Sequence, residues 1–225
     1  MSSIKTEYIN RITDNHNTIR AIIIIFYTVG IMGLLAPATN ALFLQLIPLA
    51  LVLSFVTLAL FHANEINRKS VIGFTLIYVV SFLIEAIGVH TGVIFGPYTY
   101  GNSLGLKLFH TPLIIGVNWL FLVYTTASVM DTFRMPTPLK IIVASGAMLL
   151  YDVILEQMAP KLHMWYWENE TIPLQNYIAW FTLALLFHTL LKRMKIKTRN
   201  KMALLILVCQ FSFFLILFGA NKLLA

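Results

Sequence analysis

Seven apolar segments alternate with short polar connections along the chain. They cover roughly residues 21–35, 41–61, 71–89, 112–130, 138–155, 173–191 and 202–220. Most approach the roughly 20 residues that a helix needs to cross a bilayer. The pattern therefore predicts an all-α fold, a polytopic membrane bundle of about seven transmembrane helices. We expect one integral membrane domain over residues 1–225, in which residues 1–20 form a polar tail.

The positive charges predict how this bundle is oriented, because cytoplasmic loops collect Lys and Arg. Thirteen of the sixteen Lys and Arg residues fall in the N-terminal tail or near the connections after segments two, four and six. The other three are Lys107, Lys161 and Lys222. This division predicts a cell-membrane protein with a cytoplasmic N-terminus and an extracytoplasmic C-terminus. Ala36 and Ala38 resemble a signal-cleavage site, but the preceding polar leader is long, so we expect helix one to be retained.

Composition narrows the functional classes further. The chain is 59% hydrophobic and only 11% charged, with a mean hydropathy of +0.81, which excludes an ordinary soluble domain. The basic run over residues 192–201 is explained by topology and contact with lipid, so no nucleic-acid partner is expected. A single cysteine, Cys209, excludes an intrachain disulfide.

The six histidines show no spacing typical of membrane di-iron enzymes. His90, His110 and His163 fall on the predicted outer side, which leaves a metal site there as an alternative to ordinary interfacial histidines. We predict no metal and no cofactor.

Acidic residues interrupt two of the apolar segments. Glu85 lies in the third, and Asp152 lies in the fifth with Glu156 one helical turn later. Ionisable groups inside membrane helices are costly and usually functional. We therefore take these three as candidate catalytic residues, the alternative being structural hydrogen bonding.

The two acidic segments begin similar downstream patterns. Aromatic pairs follow Glu85 and Asp152 at the same offsets of thirteen and fifteen residues, and each pair precedes Pro-Leu with a tryptophan seven residues after the proline. The matching residues are Tyr98, Tyr100, Pro112 and Trp119 in the first case and Trp165, Trp167, Pro173 and Trp180 in the second. We interpret residues 71–130 and 138–191, helices 3–4 and 5–6, as a degenerate internal repeat in which Glu85 and Asp152 are equivalent and face one cavity.

Each of the other candidates has two interpretations. The aromatic pairs form either an interfacial aromatic belt or a pocket whose π faces stabilise a cation. Asn118 and Asn176 either join helices by hydrogen bonds or contribute to the site. We include the aromatic pairs, both asparagines, Trp119 and Trp180 as candidate substrate-binding residues.

Glu85, the GPYTYG loop, PLIIGVNW, Asp152 and LHMWYWENETIPLQNYIAWF together resemble a known family over roughly residues 71–191. It is the family of carotenoid biosynthesis membrane proteins that includes carotenoid 1',2'-hydratases and bisanhydrobacterioruberin hydratase. The resemblance implies a hydro-lyase that adds water to the terminal double bond of a linear carotenoid without a redox cofactor. Residues 168–170, Glu-Asn-Glu, depart from the glycines common in such sequences.

The partners implied are a lipophilic carotenoid, the bilayer and other enzymes of the pathway. Acid-catalysed hydration needs a proton donor, a shielded cation and a positioned water, which the acids and aromatic residues can supply. The alternative is a carotenoid- or retinoid-binding or proton-relay protein of seven helices. A retinal Schiff base does not fit, because no lysine lies near a helix centre.

Overall fold

The computed structural model describes residues 15–224, so most of the predicted polar tail lies outside the described residues. Eight helices account for most of this range. They are α1 (His16–Leu35), α2 (Asn40–Gln45), α3 (Ile47–Leu60), α4 (Arg68–Thr91), α5 (Ile114–Asp131), α6 (Thr137–Met158), α7 (Leu174–Arg193) and α8 (Ala203–Leu224). Six of them are long and apolar enough to cross a membrane. The predicted all-α, multi-pass membrane bundle is confirmed.

The second predicted membrane helix is not continuous, so the prediction of seven long helices is wrong at this position. The chain breaks at Leu46 into the short α2 and the 14-residue α3, with Pro48 in the first turn of α3. Proline has no amide hydrogen and clashes with the preceding turn, so it favours a new helix start. At about 1.5 Å per residue, α3 is only roughly 21 Å long.

The broken segment still connects the two ends of the bundle. At the start of α3, Pro48 packs against Gly105 in the connection after α4. Near its other end, Asn200, which lies before α8, donates a hydrogen bond to the Leu58 carbonyl at 2.7 Å. We call the end formed by residues 92–113 and 159–173 the aromatic end. The basic end consists of residues 61–67, 132–136 and 194–202.

Helix α5 lies at the centre of the bundle. It packs against α3, α4, α6, α7 and α8, and every residue from Trp119 to Val129 is buried. An apolar helix suits either the interior of a protein or a bilayer, and α5 lies in the interior because these five helices surround it. Gly116 lets α4 approach closely, because a Cβ there would lie 2.8 Å from the Tyr78 carbonyl oxygen. The side chains of α5 therefore reach into the interior of the molecule.

Two short strands join the connections at the aromatic end. Strand β1 (Tyr98–Tyr100) pairs antiparallel with β4 (Trp165–Trp167), so that Tyr98 faces Trp167 and Tyr100 faces Trp165. A second small ribbon pairs β2 (Lys107–Leu108) with β3 (Thr111–Pro112). The β1–β4 register is what a local two-fold relation between the two halves would produce. The repeat itself stays a prediction.

The loop backbones also meet closely at Gly101. Its N–H donates to the Met164 carbonyl at 2.8 Å, and a Cβ would lie 2.1 Å from the His163 carbonyl oxygen. Only glycine allows this approach without a backbone shift. The contact fixes the position of β1 against β4.

The predicted orientation is testable at exposed positions of the two ends. In a Cys209→Ser background, we expect Asn102→Cys to react with an impermeant maleimide on intact cells. Lys197→Cys should react only after permeabilisation, because thirteen of sixteen basic residues fall on its side. The opposite labelling pattern would reverse the topology. Ser103 and Thr198 are buried and would report poorly.

Candidate functional site

Glu85 lies on the buried face of α4, where three side chains direct hydrogen-bond donors at its carboxyl group. Tyr98 and Tyr100 donate to Oε2 at 2.6 and 2.9 Å, and the Trp119 indole donates to Oε1 at 2.9 Å. Glu85 is only 4% exposed. Three donors around one buried carboxyl stabilise its ionised form.

The two tyrosines belong to β1, outside the helices. Burial raises the pKa of Tyr98 and of Tyr100 well above the usual phenol value, and the neighbouring Glu85 carboxylate raises both further. Both hydroxyls therefore remain protonated donors across the physiological pH range. They also lie on the same face of the strand, because alternate residues of a strand point the same way.

Glu156 has a comparable set of donors from the second half of the chain. The indole N–H groups of Trp165 and Trp167 donate to Oε2 at 2.9 and 2.8 Å. Asn176 Nδ2 lies 3.2 Å from Oε1. Indole and amide N–H groups can only donate, so this arrangement also suits a carboxylate.

Asp152 is the least satisfied of the three acids. Asn176 Nδ2 donates to its Oδ2 at 3.1 Å, while Oδ1 has no hydrogen-bond partner among the described residues although the residue is fully buried. The same amide nitrogen thus lies between Asp152 and Glu156. Two negative charges so close, away from water, would repel strongly, so one proton is expected to be shared by the pair.

A small pocket lies between Glu85 and Glu156. Its volume is about 20 Å³, which is enough for one water molecule. Trp119 and Trp180 stack beside it at 4.2 Å between ring centroids, and Tyr98 lies 5.1 Å from Trp167. The remaining lining residues are Phe95, Tyr100, Ile115, Asn118, Trp165 and Asn176.

A larger apolar cavity of about 320 Å³ adjoins this pocket. Ile115, Asn118 and Trp165 line both spaces, so they form the junction between them. The residue Asn118 is half-buried within the otherwise enclosed α5, and its side chain makes no hydrogen bond to any described residue. Its amide is therefore free for a ligand or water.

Most of the candidate residues meet in this pocket. It is lined by Glu85, Glu156, both asparagines, both aromatic pairs, Trp119 and Trp180, whereas Asp152 lies behind Asn176 and does not line it. The shared cavity was expected between Glu85 and Asp152, and that part is wrong. The aromatic-belt alternative is also wrong for Tyr98, Trp165 and Trp167, which are buried.

The spacing also assigned Trp165 and Trp167 to the wrong acid. They donate to Glu156, four residues after Asp152. Glu85 lies six residues before the end of α4, whereas Glu156 lies two before the end of α6. A tyrosine hydroxyl is at the tip of its side chain, so it reaches Glu85 deep in the bundle. An indole N–H is nearer the backbone, so tryptophan reaches Glu156, which lies closer to the helix end.

The two asparagines have different roles. Asn176 joins α7 to the acids of α6 by hydrogen bonds and also lines the pocket, while its role in binding substrate stays a prediction. Asn118 forms no such connection. Within residues 15–224, no three His, Cys, Asp or Glu side chains come together to hold a metal ion. His90, His110 and His163 are all exposed.

Several features of the site were not predicted. The strands β1 and β4 were missed, although aromatic residues at positions i and i+2 in YTY and WYW are typical of a strand. Phe95 and Ile115 in the pocket, and Tyr151 and Gln210 in the apolar cavity, are also new. No charge, repeat or motif in the sequence distinguishes these residues from their neighbours.

Comparisons with known proteins indicate the family to which the chain belongs. The bisanhydrobacterioruberin hydratase of Haloarcula japonica is 26% identical over 191 residues, covering 75% of this chain and 61% of that protein. The chain thus spans about three fifths of that relative's length. No solved structure matches significantly. The sequence profile described as "carotenoid biosynthesis protein" matches residues 46–224, from the break before α3 to the end of α8. By this match, the chain belongs to the carotenoid biosynthesis protein family.

Proposed function

We propose that this protein adds water to the terminal C1',2' double bond of a linear carotenoid and produces a tertiary alcohol. The observation that carries the proposal is the water-sized aromatic pocket with Glu85 on one side and Glu156 on the other. The hydratase named among the similar proteins points to the same reaction class. The reaction would make the protein a hydro-lyase.

The Asp152–Glu156 pair is the proposed proton source. Asn176 holds both carboxyl groups with a single NH₂, and like charge favours keeping one proton between them. Glu156 lines the pocket, so the shared proton can be donated into the pocket from its carboxyl group. Its transfer to C2' breaks the alkene π bond and leaves a tertiary cation at C1'.

The aromatic walls and Glu85 stabilise this cation. Trp119, Trp180 and the paired rings of β1 and β4 present π faces, which attract a cation most strongly when water is excluded. The Glu85 carboxylate adds a full negative charge, held in place by its three donors. Such preorganised charge costs little reorganisation during the reaction.

Water capture completes the addition. The oxygen of one pocket water bonds to C1', and Glu85 accepts a proton from it as general base. Asn118, with its free amide at the junction, is placed to orient that water. The proton then returns from Glu85 to the Asp152–Glu156 pair, so the net change is one water added with no oxidant or reductant.

The acids should each be essential. We expect Glu85→Gln, Asp152→Asn and Glu156→Gln to lower product formation by about a hundred- to ten-thousand-fold, since general acid or base action contributes about that much. Pigment analysis of a carotenoid-producing host measures the product, and immunoblotting checks protein level. The matched control is Glu168→Gln, an exposed acid in the loop directly after β4, and this variant should remain active. Full activity of any of the three amide variants would contradict that residue's role.

Losing one donor should matter much less than losing an acid. We expect Tyr98→Phe and Trp165→Phe to reduce turnover by about tenfold or less, because two donors to each carboxyl and an aromatic face remain. Product levels in the same host measure the effect. A loss as large as that of Glu85→Gln would instead make the hydroxyl or indole N–H a direct participant.

The source of the new oxygen tests the reaction type directly. In H₂¹⁸O, we expect the product hydroxyl to carry the isotopic composition of the water, as measured by mass spectrometry of the pigment. The parallel culture under ¹⁸O₂ is the control and should give no label. Label from O₂ would make the enzyme an oxygenase and overturn the proposal.

A further inference from the structure

We propose that the 320 Å³ apolar cavity is the binding site for the polyene chain next to the reacting end group, and that the chain enters it sideways from the lipid between α1 and α3. The choice of a polyene rests on the proposed function. The cavity is walled by α1, α3, α5, α6 and α8, and its lining is almost wholly apolar.

The cavity is closed toward both ends of the bundle. Leu104, Met164 and Trp165 cover it at the aromatic end. On the opposite side, a chain of polar side chains crosses the bundle. Tyr27 hydrogen-bonds Ser54 at 2.9 Å and donates to Gln210 at 2.5 Å, and Gln210 donates to Tyr151 at 3.0 Å. These side chains obstruct an approach to the cavity along the membrane normal.

The remaining route leads between α1 and α3. Phe26 and Val29 on α1, and Leu46 and Leu49 beside or on α3, line the cavity while staying 36% to 51% exposed. These exposed apolar residues face hydrocarbon in a membrane. The Tyr27–Ser54 hydrogen bond joins the two helices at the inner edge of the gap.

The position of the junction then orients the substrate. At Asn118, Ile115 and Trp165, the cavity continues into the pocket between Glu85 and Glu156. A volume of about 320 Å³ is at the lower end of the range for ligand sites. It accommodates one terminal segment of a long carotenoid, while the rest remains in the lipid. The substrate class is therefore an elongated hydrocarbon whose slim, acyclic end stops at the junction, because the pocket beyond has room for only about one water molecule.

A bulky side chain placed on α3 to block the cavity tests this proposal. The test measures lycopene binding and does not depend on turnover. The probe is lycopene, an acyclic polyene, added to purified protein in lipid nanodiscs. All four tryptophans of the chain line the pocket, so the saturable part of the quenching reports lycopene bound beside it, whereas lycopene dissolved in the lipid adds a background that does not saturate. We expect saturable quenching by wild type. Ala50→Phe, which fills the cavity, should raise the half-saturating concentration at least tenfold.

The matched control is Val52→Phe, which places the same phenylalanine side chain on the lipid-facing side of α3 and should stay within twofold of wild type. Ala50→Val should give an intermediate shift and carries the test if Ala50→Phe does not fold, as judged by gel filtration. Equal quenching by the Ala50 and Val52 variants would overturn the proposal. Lycopene that binds in this cavity-dependent way but is never hydrated would support this site while removing the proposed reaction.

Discussion

The structure depends on satisfying buried carboxyl groups inside a membrane bundle. A carboxylate in this setting is tolerated only with donors aimed at it, since bulk water does not solvate it there. The helices alone do not supply enough of them. Four donors come from β1 and β4, in loops that fold back over the helix ends. The pairing of β1 with β4 brings both sets of donors to one place.

This arrangement puts two different environments side by side. One is a water-sized aromatic pocket with acids on both sides, and the other is an apolar cavity suited to a hydrocarbon. Reactive and inert parts of one long molecule need such separate surroundings. The acids also differ among themselves: Glu85 has three donors, while Asp152 keeps one oxygen without a partner. That difference favours a base role for Glu85 and an acid role for the Asp152–Glu156 pair.

Individual residues show how far the sequence could predict the site. Glu85 and Asp152 stand out because a charge in an apolar segment is costly, and Trp119 and Trp180 because their spacing repeats. Glu156 looked secondary because it lies close to the helix end. In the structure, Glu156 and not Asp152 is the acid of α6 that faces the pocket. The indole N–H groups of Trp165 and Trp167 reach Glu156 because it lies closer to the helix end. The break before α3 was missed because Pro48 lies within an apolar run.

The sequence by itself determined the membrane bundle and the presence of acids within helices, because hydropathy and charge act locally and leave a pattern in the chain. Only the tertiary structure decided which acid receives which donors, and that Ile115, Asn118 and Trp165 join a polar pocket to an apolar cavity. These outcomes depend on side-chain reach and on the angles at which helices and loops meet. Such distances are set between residues far apart in the chain, where no local pattern records them.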